Sequence, residues 1–103
     1  MASREEWYEA AEAIKNEGRL ADAVTALEEL VADHPDFALA HSALAAWYTR
    51  LERHDDAVRH ARRVCELEPK DPFSFTALSV ACMRGGRIAE AEDALARSRM
   101  LQG

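Results

Sequence analysis

Trp7, Ala10, Ala11 and Ile14 recur three and four residues apart, the spacing that gathers apolar groups on one helical face. Ser3 and Glu6 ahead of them form a capping-box pattern, and Gly18 behind them is a helix stop. A first helix is therefore predicted over about residues 3–17. A second follows over about 21–33, with Ala23, Leu27, Leu30 and Val31 on its inner face and Pro35 barring continuation. Asp36 is the expected N-cap of a third helix carrying Leu44 and Tyr48. A fourth begins near Asp55 or Asp56, carries Ala57, Ala61, Val64 and Leu67, and closes at Pro69. Asp71 followed by Pro72 is a favoured N-cap and first-turn pair for a fifth helix with Phe75, Leu78 and Cys82 inward. Gly85 and Gly86 then turn the chain into a sixth, with Ile88, Ala91 and Leu95 inward. No strand-like alternation occurs anywhere.

The pattern repeats. GRLADAVTAL at Gly18–Leu27 is nearly rewritten as GRIAEAEDAL at Gly86–Leu95, an offset of 68 residues. Halfway between, the glycine is replaced by Glu52, but the register holds. Ala23, Ala57 and Ala91 are 34 apart, as are Pro35 and Pro69; Trp7, His41 and Phe75; Ala11, Ala45 and Ser79; and Ile14, Tyr48 and Cys82. The chain thus reads as three copies of one two-helix unit.

Composition narrows the function classes. The chain has 103 residues, 49% hydrophobic and 31% charged, which fits one modest globular domain. Its net charge of −6 argues against a nucleic-acid partner. No secretory signal is visible at the start, and no run approaches the ~18 apolar residues of a membrane span. Cys65 and Cys82 have neither metal-ligand nor redox-motif spacing and read as small buried hydrophobes, with a redox or metal pair as the lesser alternative. The expected setting is a reduced, cytoplasmic one without membrane contact.

These residues resemble the tetratricopeptide repeat, a 34-residue helix–turn–helix unit with an early aromatic, small residues where its helices cross, and a closing proline. An alanine at Ala23, Ala57 and Ala91 would let the paired helices approach closely. The resemblance runs from residue 4 to residue 103. It implies an all-α, right-handed superhelical solenoid of six helices in a single 1–103 domain, with repeats at about 4–37, 38–71 and 72–103. His41 at an aromatic position, Ala10 for the usual Leu, and Leu30 and Val64 for Ala are its departures.

The resemblance also implies a concave groove lined by the first helix of each unit. By register that lining is Tyr8, Glu12 and Lys15, then Leu39, Ser42, Ala46, Thr49 and Arg50, then Phe73, Thr76, Val80, Met83 and Arg84, with Glu5 and Asn16 beside them. Lys15, Arg50 and Arg84 would gather at the turn end, suited to an acidic side chain or a terminal carboxylate. The expected function is non-enzymatic protein–protein interaction: an adaptor or scaffold that holds a partner peptide or helix. Some family members clamp chaperone C-termini with Lys, Asn and Arg. The matching positions here are Tyr8, Glu12, Ala43, Phe73 and Ala77, so that role is not expected.

The alternative function is self-assembly through the last helix, whose Met100 and Leu101 accompany its inward residues without a polar capping helix after them. Residues 1–34 carry net charge −6 and residues 69–103 net +1, which would draw unlike ends together. No catalytic residue, metal site or cofactor is expected. His34, His41, His54 and His60 include no HExxH and no i,i+4 pair. Arg59, Arg62 and Arg63, with Arg53 close by, form a basic cluster on the outer face of the fourth helix. They are read as solvated, with Glu66 as partner for Arg62 or Arg63.

Overall fold

The computed structural model describes residues 2–103. Six helices are present among them: α1 (Arg4–Asn16), α2 (Leu20–Asp33), α3 (Ala38–Arg50), α4 (His54–Leu67), α5 (Pro72–Arg84) and α6 (Ile88–Gln102). No strand occurs among the described residues. The first residues of α1, α3 and α5 are 34 apart, as are those of α2, α4 and α6. Each helix packs on the next in the chain, and α3 also touches α5 directly. The stack measures 41 × 25 × 19 Å.

The core follows the repeat. Ala11, Ala23, Ala57 and Ala91, at or near zero exposure, mark the helix crossings; Leu27, Leu30, Leu44 and Val58 fill the space between. At a crossing a methyl is all the space allows, so the period of 34 in alanine is a period in helix contact.

Both expected N-caps of the outer repeats form. Glu6 N donates to Ser3 Oγ while Ser3 N donates to Glu6 Oε1, and Asp71 Oδ1 accepts from Phe73 N. Two expectations are corrected. The N-cap of α3 is Phe37, not Asp36, because Phe37 buries its ring in the core and fixes the chain entry hydrophobically. Helix α4 starts at His54, before both aspartates, with Arg53 at its N-cap position.

Arg53 is one of three. Arg19, Arg53 and Arg87 stand at the N-cap positions of α2, α4 and α6, none with a side-chain cap hydrogen bond. Each guanidinium instead reaches the acid three residues on: Asp22 at 3.1 Å, Asp56 at 2.8 Å and Glu90 at 3.9 Å. The acid in the first turn suits the positive end of the helix, and the arginine holds it there.

The turns before these helices use a left-handed residue at each repeat: Gly18 at φ 85°, Glu52 at φ 59° and Gly86 at φ 77°. Glycine takes this conformation without penalty, whereas the Cβ of Glu52 is crowded against its own backbone. Glu52→Gly is therefore expected to raise stability by about 0.5–1 kcal/mol, the strain relieved exceeding the extra freedom of the unfolded chain. The denaturation midpoint measures this. An unchanged or lowered midpoint would show that Glu52 makes compensating contacts.

Candidate partner-binding groove

Helices α3 and α5 run side by side, and their equivalent positions are 34 apart: Leu39 and Phe73, Ala43 and Ala77, Ala46 and Val80, Arg50 and Arg84. Two clefts lie between them. The upper one, of roughly 280 Å³, is walled by Leu39, Ser42, Val64 and Phe73, with Glu68 and Asp71 at its rim. The lower one, of roughly 490 Å³, has Ala45, Ala46, Ala77, Val80 and Ala81 as its floor and Arg50 and Arg84 at its end. Ser42, Ala45 and Ala77 belong to both, so the two form one trough.

The trough contains Leu39, Ser42, Ala46, Thr49, Arg50, Phe73, Val80 and Arg84 from the predicted lining. Phe73 is 73% exposed, far more than a large aromatic needs to be in a folded core, and Leu39, Val80 and Met83 are about half exposed. Thr49 is turned partly to its own helix, donating to the Ala45 carbonyl at 2.9 Å. Met83 is exposed on α5 but lines neither cleft.

The remaining predicted residues lie elsewhere. Thr76 does not face the trough: its hydroxyl donates to Pro72 O and meets Ser98 Oγ at 2.7 Å, tying α5 to α6. Tyr8 packs edge-on against Phe37, ring centroids 6.2 Å apart, and Glu12 lies beside it; burial, then the Glu12 carboxylate, raises the Tyr8 hydroxyl above its ordinary range. Lys15 holds its Nζ over the Trp47 ring at 5.3 Å, so it is a packing partner of α3 rather than an end wall of the trough. Ala45, Ala61, Val64, Ala77 and Ala81 were missed as lining. Ala61 and Val64 belong to α4, a second helix, and are invisible when only first helices are read in register.

The basic cluster on α4 is neutralised across helices. Arg59 reaches Glu28 at 3.4 Å and Asp56 at 3.2 Å, and Arg63 reaches Glu66 at 4.0 Å. Arg62 pairs not with Glu66 but with Glu90 on α6, through two hydrogen bonds. That pairing lowers the Glu90 carboxyl below its ordinary range. The expected Glu66 pairing thus holds for Arg63, while Arg62 takes a partner on another helix.

Behind the trough lies a polar chain in the core. His41 and His60 are buried, with their Nδ1 atoms 2.9 Å apart; His41 Nε2 is 2.9 Å from Pro35 O, and His60 Nε2 is 3.3 Å from Glu28. Tyr48 donates its hydroxyl to Glu28 Oε2 and stacks on His60. Burial lowers both imidazoles below their ordinary range. Cys65 and Cys82 are buried free thiols; Cys65 Sγ donates to Ser74 O at 3.3 Å, and burial raises its pKa to about 11. Such thiols are poor nucleophiles. No group of three His, Cys, Asp or Glu among the described residues could hold a metal, and none of the described helices is long and apolar enough to cross a membrane.

The tetratricopeptide-repeat family model matches residues 4–47, which contain α1, α2 and most of α3. Solved structures extend the likeness over all six helices. Residues 41 to the end of MamA from Desulfovibrio magneticus RS-1 superpose with a TM-score of 0.82 at 19% identity, over 96% of this chain and 56% of that one. Residues 4–47 match the tetratricopeptide repeat (TPR), and the whole chain has the fold of TPR structures. It is an all-α, right-handed superhelical solenoid of three helix–turn–helix repeats. A chain of the CopN–Scc3 complex superposes with a TM-score of 0.87 at 20% identity, over 95% of this chain and 58% of that one. The second TPR of Spaghetti (RPAP3), bound to the HSP90 peptide SRMEEVD, does so with 0.81 at 16%, over 95% and 91%. The chain thus spans little more than half the length of the MamA and CopN–Scc3 chains that it matches. No curated protein matches its sequence significantly.

Proposed function

We propose that the chain is a non-enzymatic protein-interaction module whose three repeats, about 4–37, 38–71 and 72–103, act as one domain and hold a partner segment in the trough between α3 and α5. The observation that carries this is the open trough itself, with Phe73, Leu39 and Val80 turned to solvent along it. A side chain held in that position by a rigid scaffold offers apolar burial to a partner at little conformational cost to the protein. The Spaghetti TPR, of the same fold at 16% identity, is bound to a peptide, which supports a peptide-binding role for the scaffold. Chaperone-tail recognition is not part of the proposal, because Tyr8, Glu12, Ala43, Phe73 and Ala77 offer no clamp. The free thiols fit a reduced cytoplasmic setting, and the net acidity fits a protein rather than a nucleic-acid partner.

A second reading has its own observation. Met100 is 78% exposed and Leu101 about 40%, and Met100 borders a cleft floored by Phe75, Leu78 and Ala94. Self-association through α6 would cover them. The two readings separate by experiment. Phe73→Asp and Arg84→Glu should each lower partner capture about thirtyfold, the scale of a buried aromatic anchor, while light scattering shows the same mass as the parent. Unchanged capture by both variants would remove the trough from the function. A dimer that Met100→Arg dissociates would put α6 in its place.

A further inference from the structure

The trough is electrically directional. Arg53, Arg59, Arg62, Arg63 and Arg87 all have carboxylates within 4.0 Å. Arg50 and Arg84, side by side at the trough's lower end, have no such partner among the described residues. At the upper end, Glu68 is likewise without an ion-pair partner among the described residues, and Asp71 accepts from Phe73 N and Ser74 Oγ but meets no cationic group. Between the two ends the floor is Ala45, Ala46, Ala77, Val80 and Ala81, with no charged group.

The backbone reinforces this direction. Arg50 and Arg84 end α3 and α5, so the trough's basic end is also where two helix C-termini place their negative partial charge. The 13 residues of each helix set a length of about 20 Å. A floor of alanines admits another helix to close distance, where larger side chains would hold it away.

From these features we infer that the trough takes a partner α-helix of about three turns, antiparallel to α3 and α5. Its first turn carries Asp or Glu against Arg50 and Arg84, and its last turn carries Lys or Arg toward Glu68 and Asp71. The antiparallel sense sets its N-terminal positive end on the two C-terminal negative ends. Acids in the first turn and bases in the last are also the arrangement a free helix favours by itself, so the docking pattern and the helix-forming pattern coincide. A parallel helix would have to carry charges that oppose its own dipole.

The inference rests on the trough reading above, and the test keeps the two apart. Three synthetic 14-residue peptides are built on an Ala/Leu face at i, i+3, i+4, i+7, the first two with one composition. One has Glu in the first turn and Lys in the last, the second reverses them, and the third has the first one's ends with two prolines at its centre in place of alanines. Binding is followed by fluorescence anisotropy on the parent protein, on Phe73→Asp and on Arg50→Glu/Arg84→Glu. The Glu-first peptide is expected to bind about tenfold tighter than its reverse, as one charge-assisted pair allows. The preference should invert on the double variant, and the proline peptide should bind at least tenfold more weakly. Equal binding of the two helical peptides, abolished by Phe73→Asp, would overturn the direction and leave the trough intact. Undiminished binding of the proline peptide would overturn the helix. Binding by none of the three would overturn both the direction and the trough reading.

Discussion

Glu28→Ala is expected to cost about 2–3 kcal/mol, whereas Glu28→Gln costs nothing at neutral pH. The reason is a count of protons. His41 Nε2 faces the Pro35 carbonyl, which only accepts; the two Nδ1 atoms face each other; and His60 Nε2 faces the Glu28 carboxylate, which also only accepts. Three contacts need three protons. Two neutral imidazoles bring two, and burial holds both rings neutral at pH 7. The Glu28–His60 contact at 3.3 Å is therefore the one left without a proton, consistent with its length. A glutamine turned the right way accepts from Tyr48 and donates to His60, which completes the chain. Its loss is the exposed Arg59 pair, worth little. Alanine leaves the buried Tyr48 hydroxyl without its acceptor and opens a gap beside the His60 ring, and that is the costly outcome. Chemical denaturation of the two variants beside the parent measures both effects. A glutamine variant as unstable as the alanine variant would refute the proton count.

Acid separates the same variants further. The imidazoles have native pKa values below the ordinary 6.5, so below about pH 6.5 the unfolded chain binds more protons than the native one and stability falls with pH. Burial raises Glu28, but Tyr48, His60 and Arg59 outweigh it and its native pKa lies below 4.5. Its contribution is present above pH 4.5 and is lost as pH falls through the native value. In the parent, a proton added to the rings supplies the missing hydrogen bond and sits beside a carboxylate. In Glu28→Gln it has no counter-charge. The variant should equal or exceed the parent at pH 7 and fall behind it at pH 5. The facing groups Arg59 and Arg63 also oppose the added charge, and both remain in the variant.

Helix periodicity and the period of 34 were legible because they rest on local geometry and on apolar contact, which repeat with the unit. They place all six helices to within a few residues. The starts of α2, α4 and α6 were harder because the residues at their caps do not cap. Arg19, Arg53 and Arg87 carry no acceptor, and the signal is the repeated arginine with an acid three residues on, which a search for Ser, Thr, Asp or Asn passes over. The Glu28–His60–His41 chain was not legible at all. Its members lie on three helices, and no spacing in one strand of sequence marks them as neighbours. His41 showed only as a histidine where an aromatic was due. The trough followed half from register. Arg50, Arg84, Phe73 and Val80 depend on which helix face is shared by successive first helices. Thr76 was misplaced because its register, which brings Ser42 of α3 into the trough, faces α6 on α5, where its hydroxyl meets Ser98.

Leu44→Ala is expected to lower stability by about 2–5 kcal/mol and to shift the thermal midpoint down by 10 °C or more, since each kcal/mol moves a domain of this size by about 4–8 °C. Leu44 has no exposure and is in the middle repeat, which packs on both neighbours through α2–α3 and α4–α5. Position 34 earlier is Ala10, which is exposed, and 34 later is Leu78, which keeps 7% exposure. The same register position is thus a full core site only in the centre. A cavity at Leu44 cannot be closed by fraying, because both flanking repeats depend on the repeat that contains it, and a short array of TPRs is stable only when its neighbours remain stacked. Its loss should therefore appear as one global transition, with exchange protection falling in all six helices together. Leu78→Ala opens a cavity at the end repeat, where α5 and α6 can loosen without disturbing α1–α3. There the cost should be smaller, and the loss of protection confined to α5 and α6. Equal shifts for the two variants, or exchange confined to α3 and α4 in Leu44→Ala, would show that the repeats hold independently and that the middle one does not carry the coupling.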